Sequence, residues 1–239
     1  MNPILTVLLL LTADQQSPSW ETVNVNAAGT LSNADAGSAR MSDNARFVVF
    51  ESLGTNYGPS DLNGTYDVYL RDRTLGTVEL ISVSTAGVQG NALSRWPVVS
   101  DNGRFVVFLS AATNLVVGDT NSMEDLFLRD RLLGVTERVS VGDFGLQGNL
   151  GVVPEATTVS DDGNFVAFAT YATNLSPFDG DSSADVYQRD RSGDVTRLVS
   201  VNYLGNFRFG FAPGLNNSRP NDHLVCHQSA QLWKHKLGR

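Results

Sequence analysis

The chain repeats itself. Ser42-Asp43-Asn44-Ala45-Arg46-Phe47-Val48-Val49-Phe50 returns as Ser100-Asp101-Asn102-Gly103-Arg104-Phe105-Val106-Val107-Phe108 and again as Ser160-Asp161-Asp162-Gly163-Asn164-Phe165-Val166-Ala167-Phe168. The offsets are 58 and then 60 residues, and they also relate Thr55-Asn56, Thr113-Asn114 and Thr173-Asn174. The Arg-Asp-Arg triplets that begin at Arg71, Arg129 and Arg189 follow the same spacing, as do Ser82-Val83, Ser140-Val141 and Ser200-Val201. A fixed period of this length calls for a modular fold, in which each unit buries its apolar surface against the next.

Each unit reads as four short strands. Strand a runs near Val152–Val159 and ends in a Ser-Asp-x-Gly turn; strand b is Arg104–Leu109, strand c Asp125–Arg131 and strand d Thr136–Val141. Turns such as Asp101-Asn102-Gly103 suit tight hairpins, because glycine accepts a positive φ. No segment has a helical period. The class is therefore all-β, and four strands per repeat with glycine-rich turns predict a β-propeller of four-stranded antiparallel blades. Thr22–Asn26 with Gly29 matches an isolated strand d, and Asp222–Ala230 echoes Gly103–Ala111. The expected organisation is three complete blades with partial blades at both ends, an incomplete propeller. Residues 1–18 form a signal peptide and spacer, 19–41 a partial blade, 42–99, 100–159 and 160–210 the three repeats, and 211–239 a degenerate fourth blade.

The succession Ser-Asp-x-Gly-Arg-Phe-Val-Val-Phe, Ala-Thr-Asn-Leu, Asp-x-Asn-x-x-x-Asp-Val-Tyr-x-Arg-Asp-Arg resembles the WD-repeat-like propeller repeats of bacterial exported proteins. The periplasmic propeller of the Tol-Pal system belongs to that group. The likeness covers residues 22 to about 210. It implies a protein-binding or scaffolding propeller without a catalytic site of its own.

Antiparallel order sends the short a–b and c–d turns to one face of a blade and the long b–c and d–a loops to the other. Long loops on a rigid scaffold are the usual place for binding, so Gln89 and Asn91, with Gln147 and Asn149 in the next d–a loop, are candidate ligand contacts. As residues of Gln-Gly-Asn sequences they are equally turn formers. The b–c loops end in recurring oxygens: Asp61, Asn63 and Asp67, then Asp119, Asn121 and Asp125, then Asp179, Asp181 and Asp185. Oxygen ligands at i, i+2 and i+6 suit a hard cation such as Ca²⁺; Asx turns explain the same residues without one. The third set is best supplied, since Ser183 adds an oxygen at i+4. The Arg-Asp-Arg triplets are expected to pair with acids of the same or an adjacent blade.

Composition narrows the partners. A net charge of −8 opposes a phosphate-backbone binder, so no nucleic-acid partner is expected. The basic residues are 15 Arg and 2 Lys, and both lysines, all three histidines and the single cysteine lie between His223 and Lys236. The repeat therefore contains no histidine to act as a base, and no Gly-x-Ser-x-Gly elbow or Walker A sequence. The altered composition after residue 222 suggests a shifted reading frame or truncated gene end. The apolar run Ile4–Leu11 is too short to span a bilayer, which takes about 20 residues. It matches the core of an export signal, although its flank lacks Lys and Arg, and predicts a periplasmic or secreted product without a transmembrane segment.

The leading expectation is an exported, non-enzymatic binding or scaffold module that meets a protein or cell-envelope component through its long loops. The alternatives are a cation-dependent propeller hydrolase or lyase, and a non-functional fragment of a larger propeller. Open sheet edges favour self-association.

Overall fold

The computed structural model describes residues 6–8, 20–58 and 61–200. Within them lie fourteen strands: β1 (Thr6–Leu8), β2 (Trp20–Thr22), β3 (Ala36–Met41), β4 (Phe47–Ser52), β5 (Asp67–Asp72), β6 (Thr77–Leu80), β7 (Ser94–Val99), β8 (Phe105–Ser110), β9 (Asp125–Asp130), β10 (Val135–Arg138), β11 (Val152–Val159), β12 (Phe165–Thr170), β13 (Asp185–Asp190) and β14 (Val195–Leu198). They form three four-stranded antiparallel sheets in sequence order, β3–β6, β7–β10 and β11–β14, and a two-stranded ladder of β1 with β2. These are propeller blades, strands a to d of each repeat. The chain divides into two compact units, Met1–Arg138 and Val139–Arg239; the first holds β1–β10 and the second β11–β14.

Strand b is apolar on both sides because both of its faces are covered. All six residues of β8 are buried. Phe47, Val49, Val68, Leu70 and Ile81 of the first sheet pack against Val99, Val106, Phe108, Leu115 and Phe127 of the second, a single core between two neighbouring blades. The Ser-Asp-x-Gly turn is built from side chains: Ser100 Oγ donates to Asn102 Oδ1 (2.8 Å) and accepts from Phe105 N (3.0 Å). Gly103 takes the left-handed position of this turn at φ +71. In the first repeat a non-glycine residue, Ala45 (φ 55), holds that position.

Two details differ from expectation. Strand d was expected over Thr136–Val141, yet the ladder ends at Arg138. The first sheet shows why: Ile81 N donates to Val68 O (2.8 Å), and the next rung is taken by Ser82, whose Oγ accepts from Val68 N (3.2 Å). Strand a carries a register shift in every sheet, with Ser38, Trp96 and Glu155 left-handed inside it. Bulges of this kind bend a strand. They require no glycine here, so the sequence does not announce them.

At the N-terminus, Trp20–Thr22 rather than Thr22–Asn26 forms the strand, paired with Thr6–Leu8 of the apolar run. Val25 makes only an isolated bridge to Leu31, as Val83 does to Gln89. Most of the expected export signal, and the degenerate fourth blade at 211–239, lie outside the described residues. No helix among the described residues is long and apolar enough to cross a membrane.

Candidate functional site

Each blade has two ends of opposite character. At the a–b/c–d end the Arg-Asp-Arg triplets of the first two repeats make structural ion pairs. Arg46 holds Asp72 through Nε (3.1 Å) and Nη2 (2.7 Å), and Arg104 holds Asp130 in the same way (2.9 and 2.7 Å). These guanidinium hydrogen bonds keep both carboxyls below the usual carboxylate range. The last arginine of the triplet reaches an acid one repeat earlier: Arg73 pairs with Glu21 (2.5 Å) and Arg131 with Glu79 (2.7 Å).

The b–c/d–a end is laced by asparagines. Asn91 accepts from Thr113 N (2.9 Å) and donates through Nδ2 to Thr113 Oγ1 (3.0 Å). Asn114 returns the bond to Gln89 O (2.9 Å). Asn149, Thr173 and Asn174 repeat this staple in the second unit, Asn174 Nδ2 reaching Gln147 O (2.8 Å). Asn91 and Asn149 thus spend their amides on joining a d–a loop to a b–c loop, which also explains the recurring Thr-Asn pair. Gly90 and Gly148 let the two loops approach, with Ala112 and Ala172 at 3.2 and 3.3 Å from where a Cβ would stand, closer than ordinary van der Waals contact.

The acids at the root of the b–c loop meet different partners in each repeat. In the first, the Gln89 amide lies between Asp61 (3.1 Å) and Asp67 (2.5 Å). Asp67 is fully buried, also accepts from Ser82 Oγ (2.7 Å), and is pushed up to about 6, mainly by burial. In the second repeat a cation does the work: Arg138 Nη1 sits 3.0 Å from both Asp119 and Asp125, and Asn121 Nδ2 donates to Asp125 (3.0 Å). Burial still pushes Asp119 up against the pull of Arg138.

The third repeat brings Asp179, Asp181 and Asp185 together, with one carboxylate oxygen from each lying within 4.8 Å of the others. Oxygens that close can all touch one ion at the 2.3–2.6 Å typical of Ca²⁺. Leu198 stands at the position of Arg138, and no charged nitrogen bridges these acids among the described residues. Tyr187 donates to Asp179 Oδ2 (2.6 Å) and Ser200 to Asp185 Oδ1 (2.5 Å). Burial raises Asp185, and the facing charges of Asp179 and Asp181 add to the rise. Reasoning from the b–c loop alone missed Arg138 and Gln89 as partners of these acids. The recurring Ser-Val pair was the available signal for Ser82 and Ser200.

Four-stranded antiparallel sheets repeated three times in sequence order define a fold of β-propeller blades. No protein-family model matches the chain, and no curated protein matches it. Among solved structures it is similar to TolB from Acinetobacter baumannii, with 14% identity over 75% of this chain and 34% of that one, at a TM-score of 0.43. The β-propeller domain of the Trilobed protease from Pyrococcus furiosus, whose topology is an open velcro, gives 8% identity over 68% and 40% at 0.42. A putative TolB from Agrobacterium tumefaciens gives 17% over 77% and 70% at 0.30. This chain spans about a third of the length of the Acinetobacter protein. Likenesses at these scores carry no argument about binding or activity; the fold stands on the three sheets.

Proposed function

We propose that this chain is a non-enzymatic propeller module that binds a protein or cell-envelope partner through its b–c and d–a loops. One observation carries the reading. Of the fifteen exposed large apolar side chains among the described residues, ten lie on these loops. Leu31, Leu62, Val88, Val117 and Met123 belong to the first unit; Phe144, Leu146, Leu150, Tyr171 and Phe178 belong to the second. In each unit taken by itself, apolar side chains concentrated on the loops at one end of its blades mark an interaction surface. An exported location, in the periplasm or outside the cell, is part of this proposal and rests on the run Ile4–Leu11.

The test is capture of envelope proteins by the immobilised chain. Serine at Leu62, Val117 and Leu146 together is expected to abolish capture, whereas serine at Leu75 and Leu132, on the c–d turns, leaves it intact. Loss from the c–d variant, or equal capture by both, refutes the proposal.

A second reading is favoured by the Asp179, Asp181 and Asp185 geometry: these residues hold a hard divalent cation such as Ca²⁺, which orders the third b–c loop. The first two repeats supply their own nitrogen donors, the Gln89 amide and the Arg138 guanidinium, so the ion belongs in the third.

A further inference from the structure

The loop between β10 and β11 exposes an aromatic ring where the equivalent loops have a small residue. Phe144 stands at the position of Ala28 and Ala86, and Leu146 at that of Thr30 and Val88. The Phe144 ring is 98% exposed, on a backbone at φ 57, ψ 24. A bulky residue occupies the left-handed region only under constraint, and the constraint is visible. Asp143 Oδ1 accepts from Thr196 N (2.9 Å), Gly142 N donates to Leu146 O (2.8 Å), and the Asn149 staple fixes the far end of the loop. Water-facing aromatic surface is unfavourable; here a pinned loop holds it out instead of letting it fold back. Across the staple, Tyr171 opens the neighbouring loop and is half exposed.

The electrostatic setting is of one sign. The loops 142–151 and 171–184 contain Asp143, Asp179 and Asp181, with Asp185 at their root, and no Lys or Arg. Their opposite numbers around Asp119 and Asp125 have Arg138 in place. Rigid apolar anchors on a loop stapled to the one that carries three clustered carboxylates, which no charged nitrogen bridges among the described residues, complement a chain whose cations flank an apolar residue, because the acids steer and orient while the buried ring supplies the affinity.

We infer that the β10–β11 loop and the b–c loop stapled to it dock an extended cationic polypeptide segment: its apolar anchor packs on Phe144 and Leu146, and its Lys or Arg side chains meet Asp179, Asp181 and Asp185. The inference rests on the loop-end reading above and names the partner class for it.

The test uses the full chain and a fluorescent peptide alternating Lys with Leu and Trp, beside a matched peptide with Glu for Lys and a third with Lys but Ser for Leu and Trp. Anisotropy titrations at low and high salt, with chelator and with Ca²⁺, read the affinity. The first peptide is expected to bind, more weakly as salt rises, and the other two at least about tenfold more weakly. Phe144→Asn keeps a residue that tolerates the left-handed backbone and is expected to weaken binding about tenfold, a typical loss for a buried anchor. Asp181→Asn is expected to flatten the salt dependence. Equal binding of the Lys and Glu peptides, equal binding of the Lys–Ser peptide, indifference to Phe144→Asn, or binding that requires Ca²⁺ overturns the inference. If the peptide arms fail while loop variants still abolish envelope capture, only the partner class is wrong. If capture is indifferent to the loops, the reading beneath it falls as well.

Discussion

Replacing Arg138 with leucine gives the second acid site the residue that the first and third repeats carry at that position, Leu80 and Leu198. Shape is therefore tolerated, and the effect isolates charge. The Arg138 side chain is 9% exposed and those of Asp119 and Asp125 are each 3% exposed. Removing one member of a buried ion pair costs about 3–5 kcal/mol, since the remaining charge is left without compensation. For a chain of this size each kcal/mol moves the melting midpoint by about 2–4 °C, so a fall of about 10 °C is expected. The pH dependence gives the sharper reading. Burial already raises Asp119, and loss of the guanidinium raises it further. A carboxyl whose folded value lies above its unfolded one favours the fold at low pH, and that contribution is lost as pH rises through the folded value. The deficit of Arg138→Leu is thus largest at neutral pH and narrows toward pH ~5. Urea midpoints across that range measure it. A deficit below about 1 kcal/mol, the worth of a surface pair, or one independent of pH, refutes the reasoning. The reciprocal change tests the ion. On the second reading, in which these acids hold an ion in the absence of a partner, Ca²⁺ raises the melting midpoint of the parent chain by an amount set by the ratio of free ion to Kd, and Leu198→Arg removes that response by placing a guanidinium among the third set of acids. A response that survives Leu198→Arg places the ion elsewhere.

Two further predictions concern the frame itself. Asp67, raised from 3.8 to about 6 chiefly by burial, favours the fold below pH ~4, and that contribution disappears as pH climbs through about 6; the rise corresponds to about 3 kcal/mol. Asp67→Asn keeps an acceptor for Ser82 and is expected to flatten the fall in stability between pH 4 and 6, measured by urea denaturation; an unchanged profile counts against the assignment. At Gly103 an added Cβ would lie 2.3 Å from the Phe47 ring at φ +71, whereas at Gly87 it would meet nothing at φ +76. Gly103→Ala is therefore expected to cost more than about 3 kcal/mol, as overpacking adds to strain, and Gly87→Ala only the strain of about 1–2 kcal/mol. Equal losses would mean that the Phe47 contact has no consequence.

How much was legible in the sequence depended on how local the cause was. Strands b and c announce themselves because β8 is buried on both faces and must be apolar throughout. The Ser-Asp-x-Gly turn announces itself because Ser100, Asn102 and Gly103 act within a few residues of one another. The bulges at Ser38, Trp96 and Glu155 left no mark, since backbone packing imposes them on residues with no preference for that geometry. Asn91 and Asn149 were visible as special and their use was not: the choice between a ligand and a loop staple depends on which loop lies opposite.

The acid sites show most plainly where sequence reading stops. Three nearly identical loops, each with acids at the same spacing, differ in chemistry because of a residue on another strand. Arg138 reaches Asp125 only because the antiparallel register of β9 and β10 places it opposite Phe127. Gln89 reaches Asp67 because the d–a loop lies against the first b–c loop, where Asn63 Nδ2 donates to Gly90 O (2.8 Å). In the third repeat neither substitute is present among the described residues, and the β10–β11 loop stapled to its b–c loop carries the exposed Phe144. A repeat fold tolerates that divergence because each blade is stabilised by its own ladder and its neighbours; one unit can give up the charge balance of its loops while the others keep theirs. The departure from the repeat, more than the repeat itself, locates the surface on which binding is expected.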